Sequence, residues 1–257
     1  MTYCVGLRLD RGLVFASDTR TSAGVDNVAI FSKMHVWERK GDRVLALLSA
    51  GNLSVTQSVV SLLNERADQC ADQLADRGAD SSLLTVSTMF QAARLVGDAI
   101  REIRRIDDEK IKANPELFTA SFIFGGQLAG DRPRLFMIYQ EGNFIEATTD
   151  TPYFQIGEHK YGKPIIDRVV VRDMRLGAAA KLLLLSFDST LRSNLSVGMP
   201  VDLLIYRKDS LEIGEQRRID ENDPYFRKLS SGWSEALRDA FAQIEEYEGA
   251  DRNGAQP

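Results

Sequence analysis

Cysteine, histidine and proline are all scarce in this sequence of 257 residues, which contains 2 cysteines, 2 histidines and 7 prolines. Cys4 and Cys70 are too few for a disulfide framework, and we expect both to be reduced structural thiols. Even together with His35 and His159 they do not predict a four-ligand zinc site. The composition therefore gives no reason to expect a metal.

Long apolar runs are absent as well. No run approaches the roughly 20 residues that a membrane helix requires, so the sequence predicts no membrane span and no membrane partner. The opening MTYCVGLRLDRGLVFASDTR alternates apolar and polar residues. It carries Arg8, Asp10 and Arg11 where a signal peptide would need an unbroken apolar stretch. We therefore expect this segment to belong to the mature fold and the protein to be cytoplasmic.

An excess of positive charge is also missing. The chain has 32 Lys and Arg against 37 Asp and Glu, a net charge of −5 at pH 7. Nucleic-acid binding depends on clustered lysines and arginines. The one basic run, RLVGDAIREIRRIDDEK, alternates with acidic residues and is typical of a solvated helix face. Nucleic acid is therefore not expected as a partner.

The remaining composition is that of a globular protein, with 44% hydrophobic and 27% charged residues. The length is near the upper end of what one hydrophobic core supports. We find no internal repeat, low-complexity linker or composition shift that would mark a boundary. The sequence therefore predicts one domain over residues 1–248, followed by a polar, disordered tail over residues 249–257.

Strand patterns dominate the first fifty residues. Residues 3–9 alternate, Arg11-Gly12 makes a tight turn, and the apolar run LVFAS follows as the second strand of a hairpin. After a polar segment around Gly24, residues 35–39 and 43–51 predict a second hairpin. Its later strand is apolar enough to be covered on both faces.

Helix and strand patterns then follow in blocks. Apolar residues at three- and four-residue spacing predict amphipathic helices over residues 55–77 and 83–111. Gly, Asp and Pro divide residues 119–148 into three short strands. The last predicted elements are further helix over residues 165–194, a strand over 201–208 and a closing helix over 223–247. This order is typical of an α+β protein in which sheets pack together and helices cover their outer faces.

Thr2 is the first position with specific chemistry. Threonine is small enough for cellular removal of Met1, which would leave Thr2 with a free α-amine beside its own hydroxyl. An α-amine titrates near 7.7 to 8.0 and accepts a hydroxyl proton close to neutral pH. Removal of Met1 would therefore combine a nucleophile and its base on one residue.

The spacing of residues around Thr2 resembles a known family. The order Thr2, Gly6, Ala16-Ser17-Asp18, Arg20 and Lys33 is similar to the opening of proteasome β-subunits and of the bacterial protease subunit HslV. The segment SKMHVWERKGDRVLALLSAGN and the long body most resemble the bacterial proteasome-like group called Anbu, the ancestral β-subunit. The resemblance covers nearly the whole chain except the polar tail.

The resemblance implies a fold and an activity. The fold is the four-layer αββα sandwich of N-terminal nucleophile hydrolases, with two antiparallel sheets face to face and helices outside. The activity is hydrolysis of a peptide or amide substrate through an acyl-Thr2 ester, without metal or cofactor. A homo-oligomer is implied too, either a ring or an open spiral, and long helices such as residues 84–112 are candidates for its contacts.

The resemblance also implies roles for individual residues. Thr2 Oγ attacks the carbonyl carbon while the Thr2 amine takes and returns the proton. Lys33 lies near Oγ as a buried cation that favours its alkoxide-like form and lowers the basicity of the amine. Asp18 holds Lys33 and compensates its charge, and Arg20 braces the Asp18 loop. A buried lysine without such a partner would tend to lose its proton.

The expected oxyanion donors are backbone amides in the stretch LLSAGN. With Gly51 on the family's second glycine, the first falls at Leu48. Amides do not require glycine, so any between Leu48 and Gly51 could serve, with Ser49 and Gly51 as the candidates.

The supporting residues depart from the family pattern. The Gly-Ser-Gly segment beside the terminal amine corresponds to residues 157–159, which puts the Glu158 carboxylate in place of a serine hydroxyl. A nearby carboxylate raises the pKa of the amine and slows its action as a base at neutral pH. The later Asp-x-x-Ser support falls in RSNLSVG, leaving Asn194 near the aspartate position and Ser193 or Ser196 near the serine. These changes suggest a narrower or differently tuned substrate.

Other functions stay open at this stage. The chain is alternatively an assembly scaffold nearly inert toward peptides, or an amidase or acyl-transferase that passes the acyl group to an amine. A general-base role for His159 lacks a serine or cysteine in a nucleophile motif. GGQLAG, residues 125–130, lacks the lysine and spacing of a phosphate loop and is interpreted as a hairpin turn. The sequence does not reveal whether a separate unfoldase or partner enzyme delivers substrate.

Overall fold

A computed structural model describes residues 2–22, 28–72, 82–106 and 119–247. The predicted tail, residues 249–257, lies outside these residues. The strands in chain order are β1 (Tyr3–Leu9), β2 (Gly12–Asp18), β3 (Arg20–Ser22), β4 (Val28–Ile30), β5 (Met34–Arg39), β6 (Arg43–Gly51), β7 (Ala120–Leu128), β8 (Arg134–Ile138), β9 (Phe144–Glu146), β10 (Tyr153–Gly157), β11 (Val201–Arg207) and β12 (Glu215–Ile219). The helices described are α1 (Leu53–Asp72), α2 (Met89–Ile106), α3 (Lys163–Val169), α4 (Leu176–Ser193) and α5 (Pro224–Gln243).

The strands form two five-stranded antiparallel sheets and a small two-stranded one. The first sheet has the order β10-β1-β2-β11-β12, and the second has the order β5-β6-β7-β8-β9. Strands β3 and β4 pair with each other. The predicted α+β class is confirmed, because antiparallel sheets and helices occupy separate blocks of the chain.

Period-two alternation in the strands divides the apolar core into three clusters. In β2, Val14 packs toward α3, α4 and α5, while Phe15 packs toward the second sheet. In β6, Leu47 packs toward α1 and α2, while Leu48 packs toward the first sheet. Full burial of each such leucine contributes roughly 1.5–3 kcal/mol. Burial on both faces explains why β2 and β6 are apolar almost throughout.

Several predicted boundaries were wrong. The helix predicted over residues 165–194 is two helices, α3 and α4, because the backbone turns to extended geometry at Val170. Three consecutive valines, residues 169–171, favour this break, since β-branched side chains lose rotamer freedom in a helix. Helix α2 begins at Met89 rather than residue 83. The predicted turn at residues 125–130 is strand β7 as far as Leu128.

Four strands were not predicted: β3, β4, β10 and β12. Each is only 3 to 5 residues long, too short for a clear alternation. None of the helices that the structure describes is both long and apolar enough to cross a membrane.

The pairing of β1 sets the position of Thr2. Strand β1 lies between β2 and β10, with Cys4 opposite Ser17 and Tyr3 opposite Gly157. Thr2 therefore leaves the sheet beside the last residue of β2, which is Asp18, and beside the end of β10.

Candidate active site

The Asp18 carboxylate joins three segments of the chain. It has no solvent exposure and stands at the end of β2. Its Oδ1 accepts hydrogen bonds from Lys33 Nζ at 2.7 Å and from the Tyr3 amide at 2.9 Å. Its Oδ2 accepts from the Gly198 amide at 3.4 Å. One buried carboxylate thus connects the ammonium of Lys33 with the peptide group immediately after Thr2.

Lys33 is the buried cation of the site, with 5% exposure. Besides Asp18, its ammonium donates to the Arg20 carbonyl oxygen at 2.7 Å. A buried charge is tolerated when it is paired and hydrogen-bonded, and Lys33 has both a counter-charge and a second acceptor. The predicted Asp18–Lys33 pair is present in the structure.

Burial and hydrogen bonding act in opposite directions on Asp18. Burial raises the pKa of the Asp18 carboxyl, while the Lys33 ammonium and the amides of Tyr3 and Gly198 oppose that rise. The carboxylate therefore depends on these donors for its charge. Removal of Lys33 would favour the protonated form of Asp18.

Thr2 is held by the segment that follows β10. Thr2 is 9% exposed, and its carbonyl oxygen accepts a hydrogen bond from the Glu158 amide at 2.6 Å. Gly157 has a φ of +80°. A Cβ on Gly157 would stand 2.0 Å from the Thr2 carbonyl oxygen and 3.2 Å from Thr2 Cβ. Only glycine permits this approach without displacing Thr2.

The Glu158 carboxylate is enclosed by donors. Its Oε1 accepts from the amides of His159 at 2.8 Å and Lys160 at 2.7 Å, and its Oε2 accepts from Asn194 Nδ2 at 2.7 Å. Burial alone would raise the pKa of Glu158, but these three donors outweigh it and hold the pKa below its ordinary value. Glu158 is therefore a fixed anion beside the Thr2 backbone.

Asn194 extends this network. Its Oδ1 accepts from the Ser196 amide at 3.0 Å and from Ser196 Oγ at 2.5 Å. Ser193 is exposed at the end of α4 and is not in this hydrogen-bonded group. Of the two candidate serines, Ser193 and Ser196, it is Ser196 that bonds Asn194, the residue that in turn bonds Glu158.

The two predicted oxyanion amides differ in their partners. The Ser49 amide donates to the Lys33 carbonyl oxygen at 2.9 Å, toward the β5 side, while the Asn52 amide donates to Thr119 on the opposite side at 2.7 Å. Successive amides of a strand point to alternate sides. The Gly51 amide therefore points to the same side as that of Ser49, beyond the start of β5. The Ser49 amide is already bonded, which leaves Gly51 as the candidate.

Arg20 contacts the site through both its backbone and its side chain. Its carbonyl accepts from Lys33, and its Nη1 donates to the Leu195 carbonyl oxygen at 2.9 Å. A Cβ on Gly198 would stand 2.1 Å from Arg20 Nε. The guanidinium therefore packs directly on the segment whose Gly198 amide reaches Asp18.

His159 stands apart from this group of side chains. Its ring is exposed, with Nδ1 3.3 Å from the Gly157 carbonyl oxygen. Across the described ranges, no three histidine, cysteine or carboxylate side chains come together as a metal site would need.

Sequence reasoning missed the backbone partners of the site. The amides of Tyr3 and Gly198 and the carbonyl of Arg20 carry no signal in the sequence, because every residue except proline has the same backbone groups. Gly157 did carry a signal through the family resemblance, which puts a glycine beside the terminal amine, where only glycine adopts a positive φ at no steric cost.

No protein-family model and no curated protein sequence matches the chain. Solved structures do match it. Anbu from Hyphomicrobium sp. strain MC1 is 60% identical, covers 96% of this chain and 100% of its own, and superimposes with a TM-score of 0.86. Anbu (ancestral β-subunit) from Yersinia bercovieri is 48% identical over 97% of this chain and 100% of its own, with a TM-score of 0.88.

A third match is a helical assembly of the Anbu complex from Pseudomonas aeruginosa. It is 45% identical, covers 98% of this chain and 100% of its own, and has a TM-score of 0.88. Identity at this level over nearly the full length of each chain confirms the resemblance to Anbu that was predicted from residues 32–52 and the body of the chain. The chain belongs to the Anbu family of ancestral, proteasome-like β-subunits.

Proposed function

We propose that this protein is a threonine hydrolase that cleaves amide bonds through Thr2 as an amino-terminal nucleophile. One observation carries the proposal: the fully buried Asp18 carboxylate holds both the Lys33 ammonium and the Tyr3 amide. Asp18 thus contacts both a fixed positive charge and the peptide group that follows Thr2. A purely structural ion pair would not need to include the residue next to a potential nucleophile.

In the first step, the freed Thr2 amine takes the proton of Oγ as Oγ attacks the substrate carbonyl carbon. The Lys33 ammonium stabilises the negative charge that develops on Oγ, and its pairing with Asp18 keeps it in place. The carbon–nitrogen bond then breaks, and the leaving nitrogen receives the proton from the Thr2 amine. The product is an acyl ester on Thr2.

In the second step, water attacks the ester carbonyl while the Thr2 amine accepts a proton from the water. Oγ leaves and regains its proton, which restores Thr2 and releases a carboxylic acid. The charge on the substrate oxygen in both steps needs a backbone donor. The direction of the Gly51 amide supports it in this role, in preference to the bonded Ser49 amide.

The supporting residues have positional roles in this proposal. The Arg20 side chain restrains its own loop, where the Arg20 carbonyl oxygen accepts a hydrogen bond from Lys33. The Glu158 amide restrains Thr2 by donating to the Thr2 carbonyl oxygen. Glu158 also adds a negative charge near the Thr2 amine, which raises the pKa of that amine. Asn194 holds the Glu158 carboxylate, and Ser196 holds Asn194.

The three apolar clusters support the four-layer αββα sandwich of N-terminal nucleophile hydrolases. One cluster lies between the sheets, and one lies between each sheet and its helices. A cluster shared by both sheets also supports one domain over residues 1–248. The helical assembly of the relative from Pseudomonas aeruginosa supports a homo-oligomer for this chain too, and its ring or spiral form stays a prediction.

The decisive experiment is covalent capture by a peptide epoxyketone or vinyl sulfone. We expect the wild-type protein to gain one probe mass on Thr2 and the Thr2→Ala protein to gain none. Equal labelling of both proteins would refute the assignment of the nucleophile. An unlabelled wild-type protein that still assembles would instead favour a scaffold.

Product analysis with a competing amine separates hydrolysis from acyl transfer. We expect the acyl group of a peptide amide substrate to appear as the free acid. An amide of the added amine as the main product would identify an acyl-transferase at the same site.

A further inference from the structure

A second ion pair lies beside the proposed site, formed by residues with no role in the mechanism so far. Asp202 in β11 is 9% exposed. Arg218 in β12 binds it with two parallel hydrogen bonds, Nε to Oδ1 at 2.7 Å and Nη2 to Oδ2 at 2.9 Å. Bidentate arginine–carboxylate pairs fix geometry more strongly than single contacts do. The Asp202 carboxylate is therefore held in a defined orientation.

The sheet register makes the backbone of Asp202 a neighbour of the end of β2. Strand β11 pairs with β2, so that Val201 is opposite Asp18 and Asp202 is opposite Ser17. On its other side Asp202 is directly opposite Arg218. Along β11, the backbone position of Asp202 is thus next to the one that faces Asp18, with its side chain on the other face of the sheet.

Ser32 connects the ion pair to the catalytic lysine. Ser32 Oγ lies 2.9 Å from Asp202 Oδ2 and 3.0 Å from the Met34 carbonyl oxygen. A hydroxyl has one proton to donate, and a carboxylate is a stronger acceptor than a carbonyl. The proton therefore goes to Asp202. Because Ser32 immediately precedes Lys33, this hydrogen bond restrains the backbone from which the ammonium extends.

We propose that Asp202 and Arg218 are positioning residues that hold Lys33 in place through the Ser32 hydroxyl. The inference rests on the proposed function, in which Lys33 acts on Thr2 Oγ. None of the three residues touches the reacting atoms, and their effect is on the precision of the Lys33 position.

The placement of Arg218 supports a role beyond stability. Strand β12 is the edge of its sheet, and four of its five residues are exposed. The Arg218 side chain is 50% exposed, so solvent screens its attraction to Asp202 and limits what the pair contributes to stability. Its bidentate geometry is nevertheless directed at a carboxylate whose other contact leads to Lys33.

The test measures covalent labelling in Ser32→Ala, with Ser32→Thr as the rescue variant. Ser32 is exposed, so either substitution should leave the fold intact. Labelling is described by kinact, the rate constant of the covalent step, and KI, the probe concentration that gives half of that rate. We expect kinact of Ser32→Ala to fall roughly tenfold, the effect of one hydrogen bond to a charged group, and KI to stay unchanged. Ser32→Thr keeps the hydroxyl and should recover most of kinact. Ser58→Ala, which removes a half-buried hydroxyl that donates to the Ser54 carbonyl oxygen within α1, is the matched control and should behave as wild type.

A double-mutant cycle with Asp202→Asn tests the shared route. If both residues act through one contact, Ser32→Ala should add little to the effect of Asp202→Asn. Equal kinact in wild type, Ser32→Ala and Ser32→Thr would overturn the inference while leaving the Thr2 assignment intact. A higher KI, which means weaker probe binding, together with an unchanged kinact would also overturn it. Failure of the wild-type protein to label would remove the proposed function and this inference together.

Discussion

Gly157→Ala is the substitution whose effect on Thr2 can be worked out most directly from the structure. Gly157 is exposed at the end of β10, so a methyl group added there does not enter the hydrophobic core. The three atoms nearest to the new Cβ all belong to Thr2, and the carbonyl oxygen would lie 2.0 Å away. Raising that contact to the 3.0 Å that real Cβ atoms respect moves the two residues about 1 Å apart.

The expected loss follows from this displacement. A shift of about 1 Å at a reacting group costs roughly 10²-fold in rate, equal to about 2.7 kcal/mol of activation free energy. The shift also lengthens the 2.6 Å hydrogen bond from the Glu158 amide to Thr2. We therefore expect kinact of Gly157→Ala with an epoxyketone probe to be about 1% of the wild-type value.

Gly41→Ala is the matched control. Gly41 has a φ of +75°, close to the +80° of Gly157, so alanine has a similar backbone strain of roughly 1–2 kcal/mol at either position. A Cβ at Gly41 has no neighbour within 4 Å. We expect Gly41→Ala to lose thermal stability and keep its kinact, so that the comparison separates strain from displacement of Thr2. Equal kinact for the two variants would refute the account of how Thr2 is positioned.

Three further predictions concern the charges and the core. Lys33→Ala should lower the labelling rate by roughly 10²- to 10³-fold with assembly size unchanged on gel filtration; disassembly would instead make Lys33 structural. The pKa of Glu158 is lowered in the fold, so its contribution to stability is present above the ordinary value of 4.5 and is lost as the pH falls through the folded pKa. The Tm difference between wild type and Glu158→Gln should accordingly shrink in acid, and a difference independent of pH would contradict this. Leu47→Ala removes a fully buried side chain and should cost roughly 2–5 kcal/mol of unfolding free energy in urea titration, with kinact of the folded protein retained.

The strands with the clearest sequence signal are those buried on both faces. Strands β2 and β6 show apolar residues at almost every position because both faces of their sheets are covered. Strand β12, in contrast, has the sequence EQRRI with a buried side chain only at Ile219. It is a strand because its backbone pairs with β11. The pattern of its own five residues does not predict that pairing, because the partner strand lies elsewhere in the chain.

The same contrast applies to the site. Asp18 and Lys33 could be predicted because their residue types and their spacing from Thr2 resemble the catalytic pattern of a known family. The donors that fix Asp18 are backbone amides, and the acceptor that holds Ser32 is Asp202, 170 residues away in sequence. Contacts of this kind depend on sheet register, which one sequence does not specify. The same reason explains why the partners of Glu158 became visible only in the structure.

Intact mass spectrometry before and after treatment with an epoxyketone tests the central claim most directly. Before treatment, the account predicts a chain that lacks Met1 and so begins at Thr2. After treatment, it predicts one added probe mass, which peptide mapping assigns to Thr2. A protein that retains Met1, or an adduct on any other residue, would contradict the claim that Thr2 supplies both the nucleophile and its base.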